Sequence, residues 1–362
     1  MTWLNQKHFD PISLVFEQCE SARKNGREIY NFFSRKPVTG VNFILDDEKA
    51  TQNFAREFIH LHIRSNLSSN LSYDMSYAAI NTLYGYFALA CNRGSKSFQI
   101  GHNLRHLPVI LADYLGMWHY ELTEKNKDFD VREIRENGLL IIRSPHLQSG
   151  WFASKEKWQE ICQRCSQINT RILCDATYSK LFDESVALSE MAVDFPKLSW
   201  AEVFSTECIL GGAWYLNAIV GTKDFISDYV KVRKTHGVLH VFEVLPITAI
   251  KFFSDEDSIK EIINKYRKRV EILSEIFVKN KFIVFGTTPA HLSIETPQTA
   301  FGEKIRDSEH FNLLMIGHIG IAGLPYKGTI GYSVFNVCLE DKMLRKTISD
   351  LLNQTQISYN PQ

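Results

Sequence analysis

Arg171-Ile172-Leu173-Cys174-Asp175-Ala176-Thr177-Tyr178 is the stretch on which the fold turns. Three apolar residues follow one another and stop on a carboxylate. A short, continuous apolar run of this kind suits a strand buried on both faces. Leu139-Leu140-Ile141-Ile142, Glu202-Val203-Phe204 and Leu216-Asn217-Ala218-Ile219-Val220 read the same way. These runs lie roughly 25 to 30 residues apart, and helical stretches separate several of them. Lys155–Ile168 is one such helix, with Trp158, Ile161 and Cys165 on its apolar face. The expectation is an α/β protein built on a large mixed sheet covered on both sides.

The same reading divides the chain. Residues 1–70 form a polar, helical N-terminal segment, and 71–252 the large domain. The most apolar long run, Tyr77–Cys91, falls in that domain and reads as a buried helix. It is shorter than the ~20 residues a membrane span needs. A connector helix follows at 253–280. In it Ile259, Ile262, Ile263, Tyr266, Val270, Leu273 and Phe277 recur at helical spacing, and Ser254 with Asp257 is set to cap its start. Residues 281–362 form a small α+β domain in which strand-like and helical pieces alternate, at Phe282–Phe285, Leu313–Ile316 and Tyr332–Leu339, before a closing helix to about Asn353. Asp74 or Ser76 is positioned to cap the helix containing Tyr77–Cys91.

Bulk composition excludes several classes. The 362 residues carry a formal net charge of zero, with 44% hydrophobic and 23% charged residues. This is an ordinary globular balance, with no basic footprint for nucleic acid and no polybasic run for a membrane surface. The segment Met1–Lys7 has no apolar signal core, so a cytoplasmic location is expected. Seven scattered cysteines suit free thiols in a reducing compartment. Cys162 and Cys165 lie inside one helix with no second pair, and read as ordinary helical thiols. His60-Leu61-His62 aims its imidazoles to different faces. No metal site is expected.

In an α/β sheet, ligands bind beyond the carboxyl ends of the strands, where Asp175 and Tyr178 are expected. Asp175-Ala176-Thr177-Tyr178 resembles the Asp-x-x-Tyr motif of the class I/II aminotransferases, which bind pyridoxal phosphate (PLP) on fold type I. Arg143-Ser144-Pro145-His146-Leu147-Gln148-Ser149-Gly150 is similar to that family's Asn-Pro-x-Asn-Pro-x-Gly loop. Phe204-Ser205-Thr206-Glu207 through Gly211-Gly212-Ala213-Trp214 is similar to its cofactor-lysine segment. The likeness runs in order from about Tyr73 to Thr347.

The resemblance implies that Asp175 pairs with the pyridine nitrogen, that Tyr178 bonds the ring hydroxyl, and that Ser205 binds the phosphate. It also implies losses. Thr206 stands in the lysine slot, Trp214 in a phosphate-arginine slot, Leu147 in the ring-hydroxyl Asn slot and Asn336 in the substrate-carboxylate arginine slot. A hydroxyl forms no imine with an aldehyde, so ordinary transamination is not expected.

Three outcomes follow. The chain is an atypical enzyme of amino-acid-related or specialised metabolism that uses the old cofactor cleft without covalent PLP. Alternatively it is a transferase or lyase holding PLP or its amine form (PMP) non-covalently, or a non-catalytic subunit paired with an active partner. Thr206 and His146 are the candidate catalytic groups, and Trp214 and Asn336 the candidate substrate contacts. The cofactor is non-covalent PLP or PMP, or none. The expected ligand is a small molecule related to an amino acid, and the expected assembly a homodimer or hetero-oligomer.

Overall fold

The computed structural model describes residues 11–31, 54–63, 67, 70–76, 80–91, 97–100, 118–121, 124–125, 128–210, 216–236, 244–326, 328–335 and 339–359. The chain forms two compact units. One takes in 39–146 and 151–259; the other takes in 147–150, 260–362 and the first 38 residues.

Seven strands make the sheet of the first unit: β1 Ser72–Ser76, β2 Ser97–Ile100, β3 Trp118–Glu121, β4 Gly138–Arg143, β5 Arg171–Asp175, β6 Trp200–Ser205 and β7 Asn217–Gly221. Their order is β1-β7-β6-β5-β4-β2-β3. From β6 to β3 all neighbours run parallel. β7 is antiparallel to both β6 and β1. The apolar runs at 139–142, 171–174, 202–204 and 216–220 therefore all belong to the central strands, and every residue of β4, β6 and β7 is buried.

Alternation assigns the two faces. Leu139, Ile141, Leu173, Ala201, Val203 and Ile219 pack against Leu83, Tyr84 and Phe87 of the helix Ile80–Cys91 and against Phe225 and Tyr229 of the helix Lys223–His236. The intervening residues Cys174 and Glu202 are register partners. The buried Glu202 carboxylate accepts the backbone N–H groups of Leu188 (2.9 Å) and Ser189 (2.8 Å), the orphan donors at the start of the short helix Leu188–Met191. The helix Lys155–Gln167 starts where Ser154 Oγ accepts from Lys157 N (3.2 Å) and buries Trp158, Ile161, Cys162 and Cys165. Burial pushes the Cys162 thiol up to about 12 and Cys165 higher still, so neither thiol is reactive. His62 also serves the core. It is packed among Phe58, Phe204 and Phe253, and burial, with Lys180 nearby, holds it down to about 3.

Asp74 lies within β1 and pairs with Arg233 (3.1 Å), so it caps no helix. Its side chain is more useful as an ion-pair partner on the sheet than at a helix start, which lies beyond the strand's end. The long helix is Glu256–Lys279, and its cap also differs from expectation. Asp255 Oδ1 accepts from Ser258 N (3.1 Å), while the Ser254 hydroxyl donates backward to Ile250 O (2.8 Å). Ser254 is still finishing the preceding helix Val244–Phe253, so the cap falls one residue later.

The second unit carries an antiparallel sheet of four strands, β8 Val284–Thr288, β9 His291–Glu295, β10 Leu324–Tyr326 and β11 Thr329–Ser333, in the order β8-β9-β11-β10. The apolar piece Leu313–Ile316 is part of a helix, Ser308–Ile319. Asp307 Oδ1 caps it by accepting from His310 N (2.7 Å), and Phe311, Met315, Ile316 and Ile319 form its buried face. Gly320 ends it at φ 71°, and a Cβ there would lie 2.0 Å from Glu28 O. Of the piece Tyr332–Leu339, Tyr332 and Ser333 belong to β11, and 336–338 lie outside the described residues. The helix Pro11–Lys24 packs on this unit through Val15 and Cys19 against Ile316 and Leu324. The closing helix Asp341–Leu352 buries Leu344, Ile348 and Leu352.

Asp255→Ala is expected to cost about 1 kcal/mol of stability in urea unfolding, the usual value of a lost N-cap, and Ser254→Ala clearly less. Equal effects would contradict the cap assignment.

Candidate functional site

β4 and β5 end together. Arg143 and Asp175 are their last residues and are partners across the parallel ladder. Both side chains therefore leave the sheet on one face, at the carboxyl ends where α/β sheets bind ligands. Tyr84, from the helix Ile80–Cys91, meets them there and is 1% exposed. Thr177 and Tyr178 follow in the turn after β5.

Asp175 is completely buried. Its Oδ1 accepts the Thr177 backbone N–H (3.0 Å) and the Thr177 hydroxyl (2.5 Å). Its Oδ2 accepts the Tyr84 hydroxyl (2.5 Å) and Arg143 Nε–H (2.6 Å). Arg143 Nη2 also donates to the Tyr84 oxygen (3.0 Å), closing a three-membered ring of hydrogen bonds. The Arg143 guanidinium lies 5.8 Å from the centre of the Tyr178 ring.

The electrostatics follow from this packing. Burial alone would raise the Asp175 carboxyl. The Arg143 charge and the hydrogen bonds from Thr177, Tyr84 and Arg143 outweigh it and hold Asp175 below its ordinary value. Burial would lower Arg143, but attraction to Asp175 drives it well above its usual value. Burial pushes Tyr84 well up, and Arg143 only partly opposes this. The cluster is a carboxylate, a guanidinium and a neutral phenol.

An ionised carboxylate offers about four lone-pair positions. On Asp175 all four are taken by protein donors. A protonated ring nitrogen approaching this carboxylate meets no free acceptor, and the positive charge it would supply is already present on Arg143. The residues do not fit the pyridinium-binding part implied by the resemblance.

In the lysine-slot segment Thr206 is tied to the backbone. Thr206 is fully buried. Its N–H (3.0 Å) and hydroxyl (3.2 Å) both donate to Leu216 O, and its carbonyl accepts from Leu210 N (2.9 Å) at the start of the helix Glu207–Leu210. Ser205, also fully buried, accepts the Glu207 backbone N–H on Oγ (3.2 Å). His146 is 2% exposed and its backbone N–H donates to Trp151 O (2.7 Å). Leu147 is fully buried. Trp214 and Asn336 lie outside the described residues.

The structure thus brings Asp175 and Tyr178 together around a residue to which the sequence reading gave no role. Arg143 had a signal, since it is a lone cation closing an apolar strand whose neighbour closes on a carboxylate. Tyr84 had none, because it lies inside a run that reads as core. Thr177 sits within the Asp-x-x-Tyr stretch itself.

The family model for aminotransferase class I and II matches residues 96–301, more than half of the 362. No curated protein matches the chain in sequence. Solved structures do match in fold. A substrate-bound structure of BacF from Bacillus subtilis superposes with a TM-score of 0.79 at 14% identity, covering 98% of this chain and 96% of that one. An aspartate aminotransferase from Rhizobium meliloti gives 0.76 at 10% identity, covering 95% and 96%. One from Thermotoga maritima gives 0.71 at 13%, covering 95% and 97%. Among the described residues no helix is long and apolar enough to cross a membrane.

Asp175→Asn leaves a buried guanidinium without its counter-charge and is expected to cost about 3–5 kcal/mol; the double change Asp175→Leu with Arg143→Met should cost less than the two single changes added. The sign of the pH effect follows from the depressed Asp175 carboxyl. Its contribution is full above the ordinary carboxylate range and is lost as pH falls through and below it. Urea unfolding of wild type and Asp175→Asn across acid pH should show the gap closing at the acid end. A constant gap would contradict the ionised pair.

Proposed function

We propose that this chain, which belongs to the class I and II aminotransferase family, is an atypical enzyme that uses the old cofactor cleft without a covalent PLP. The observation that carries this reading is the saturated Asp175 carboxylate. Thr206 supports it: the slot holds no amine, and its hydroxyl is given to the Leu216 carbonyl. PLP would supply an electron sink, and that sink depends on a protonated ring nitrogen held by a carboxylate. Here the carboxylate is held by Arg143 instead.

The ligand of the cleft is then a small molecule related to an amino acid, and the protein acts as a homodimer or with a related partner. Transamination is not its reaction. Thr206 holds the turn between β6 and β7 by tying the start of the helix Glu207–Leu210 to Leu216. His146 is the titratable side chain closest in sequence to Arg143, and under this reading it supplies the proton-handling group.

The test is a titration of the purified protein with PLP and with PMP, read by absorbance, by borohydride trapping and by thermal shift. A ligand that binds only the folded state must raise apparent stability in a dose-dependent way. The expected result is no saturable change and no trapped adduct. Saturable binding of PLP to the wild-type protein would overturn the proposal.

Thr206→Lys alone is expected to restore no imine, because Arg143 still occupies Asp175. Thr206→Lys combined with Arg143→Asn should bind PLP measurably better than Thr206→Lys alone. A stable imine in the single variant would show that Arg143 is no barrier.

A further inference from the structure

Asp175 and Glu202 are both shut away from water on neighbouring strands of the large sheet. Asp175 has the Arg143 charge beside it. Glu202 faces the other side of the sheet, and among the described residues no cation pairs with it. Its oxygens accept the N–H groups of Leu188 and Ser189, and the Cys174 thiol, its register partner on β5, adds a weaker hydrogen bond.

The elements around Glu202 bring no positive charge to it. On β7 its register partner is Val220. Along β6 the next side chain on its face is Phe204, against which the neutral His62 packs. The helix Lys155–Gln167 brings the Cys162 thiol near, and its cations are engaged elsewhere. Lys157 pairs with Asp128 (2.8 Å) and Glu160 (3.0 Å), and Arg164 donates to Ile134 O (3.2 Å). In the connection from β5 to β6, Lys180 donates to Leu61 O, and Glu190 carries a second carboxylate, which accepts the Ala187 N–H (3.3 Å). Burial pushes the Cys162 thiol up to about 12 and Cys174 well above its usual value, so both are neutral. A negative charge met only by neutral dipoles does not recover the water it has lost. Burial accordingly holds the Glu202 carboxyl above its ordinary value, although the bonds from Ser189, Leu188 and Cys174 pull it down.

We propose that Glu202 is a proton-sensitive latch on the connection from β5 to β6: protonated, it stays sealed beneath the helix Leu188–Met191, and ionised, it drives that helix to lift and admit water. The cover is thin. The helix is four residues long, Glu184 and Asp194 on either side of it are exposed, and Val193 is 43% exposed. Beyond the two bonds to Glu202, it is held through Val186 O, which accepts from Trp158 Nε1 (2.9 Å). A short surface element with few bonds opens at less cost than the core beneath it. The connection starts at Asp175 and ends at Trp200, so the latch acts on the chain that leaves the strand-end cluster, whatever the cleft binds.

The pH dependence is opposite in sign to that of Asp175. A raised carboxyl favours the closed form fully below the ordinary glutamate range, and the preference is lost as pH rises through the raised value. The experiment is hydrogen exchange of the full chain, followed by NMR at single amides from acid to neutral pH. Protection of the Leu188 and Ser189 amides, corrected for the intrinsic exchange rate, should fall by up to about tenfold per pH unit above the ordinary glutamate range and then level off, the limit for one coupled proton. In Glu202→Gln it should not change with pH. A carbon-13 titration of the Glu202 carboxyl in wild type needs no variant to fold, and its midpoint should lie above the ordinary glutamate range. Wild-type protection that does not fall, equal falls in the two proteins, or a carboxyl titrating at or below the ordinary range would each overturn the proposal. So would protection at Leu188 and Ser189 matching that of Leu173 on β5 at every pH, because the helix would then open only when the whole protein unfolds.

Discussion

A carboxylate with no access to water must be neutralised and hydrogen-bonded where it stands, and Asp175 is the residue that imposes this condition here. It is fully buried at the end of a central strand. The neighbouring strand supplies the counter-charge at the one register position that can reach it, Arg143. A helix on that face supplies the Tyr84 hydroxyl, and the turn after β5 supplies both donors of Thr177. Strand register, helix placement and turn conformation all converge on two oxygen atoms. Sliding β4 against β5 by one residue would put Arg143 on the opposite face and leave the carboxylate uncompensated.

That arrangement separates fold from chemistry. The sheet order, the single antiparallel strand β7 and the small antiparallel sheet are those of a family whose members superpose over nearly their full length. Around the strand ends, Asp175 bonds Arg143, Tyr84 and Thr177. Thr206 gives both its N–H and its hydroxyl to the Leu216 carbonyl. The core depends on volume and burial, whereas the strand-end cluster depends on a few polar atoms.

Several elements were legible before any coordinates. The runs at 139–142, 171–174 and 202–204 are continuous and apolar because their strands are covered on both faces, and that pattern needs no tertiary information. The helix Glu256–Lys279 was equally plain, since a 24-residue helix repeats its apolar spacing many times. Leu313–Ile316 could not be assigned from the sequence, because four apolar residues are too few to distinguish a strand from a helix. The Asp307 cap and the left-handed Gly320 decide that case, and both act through backbone geometry. The cap of the long helix was misplaced by one residue because two consecutive polar residues compete for it, and only the end of the preceding helix settles which is free.

The sequence by itself determined the α/β architecture of this protein. Hydrophobic periodicity is a local property, and Asp175 closes its strand in plain view. Only the tertiary structure decided what Asp175 does. Its partners lie 32 residues away at Arg143 and 91 residues away at Tyr84, joined to it by strand register and helix packing. Hydrogen bonds between residues so distant in the chain leave no periodic trace, and whether a carboxylate is free to meet a ligand depends on every donor that folding brings within its reach.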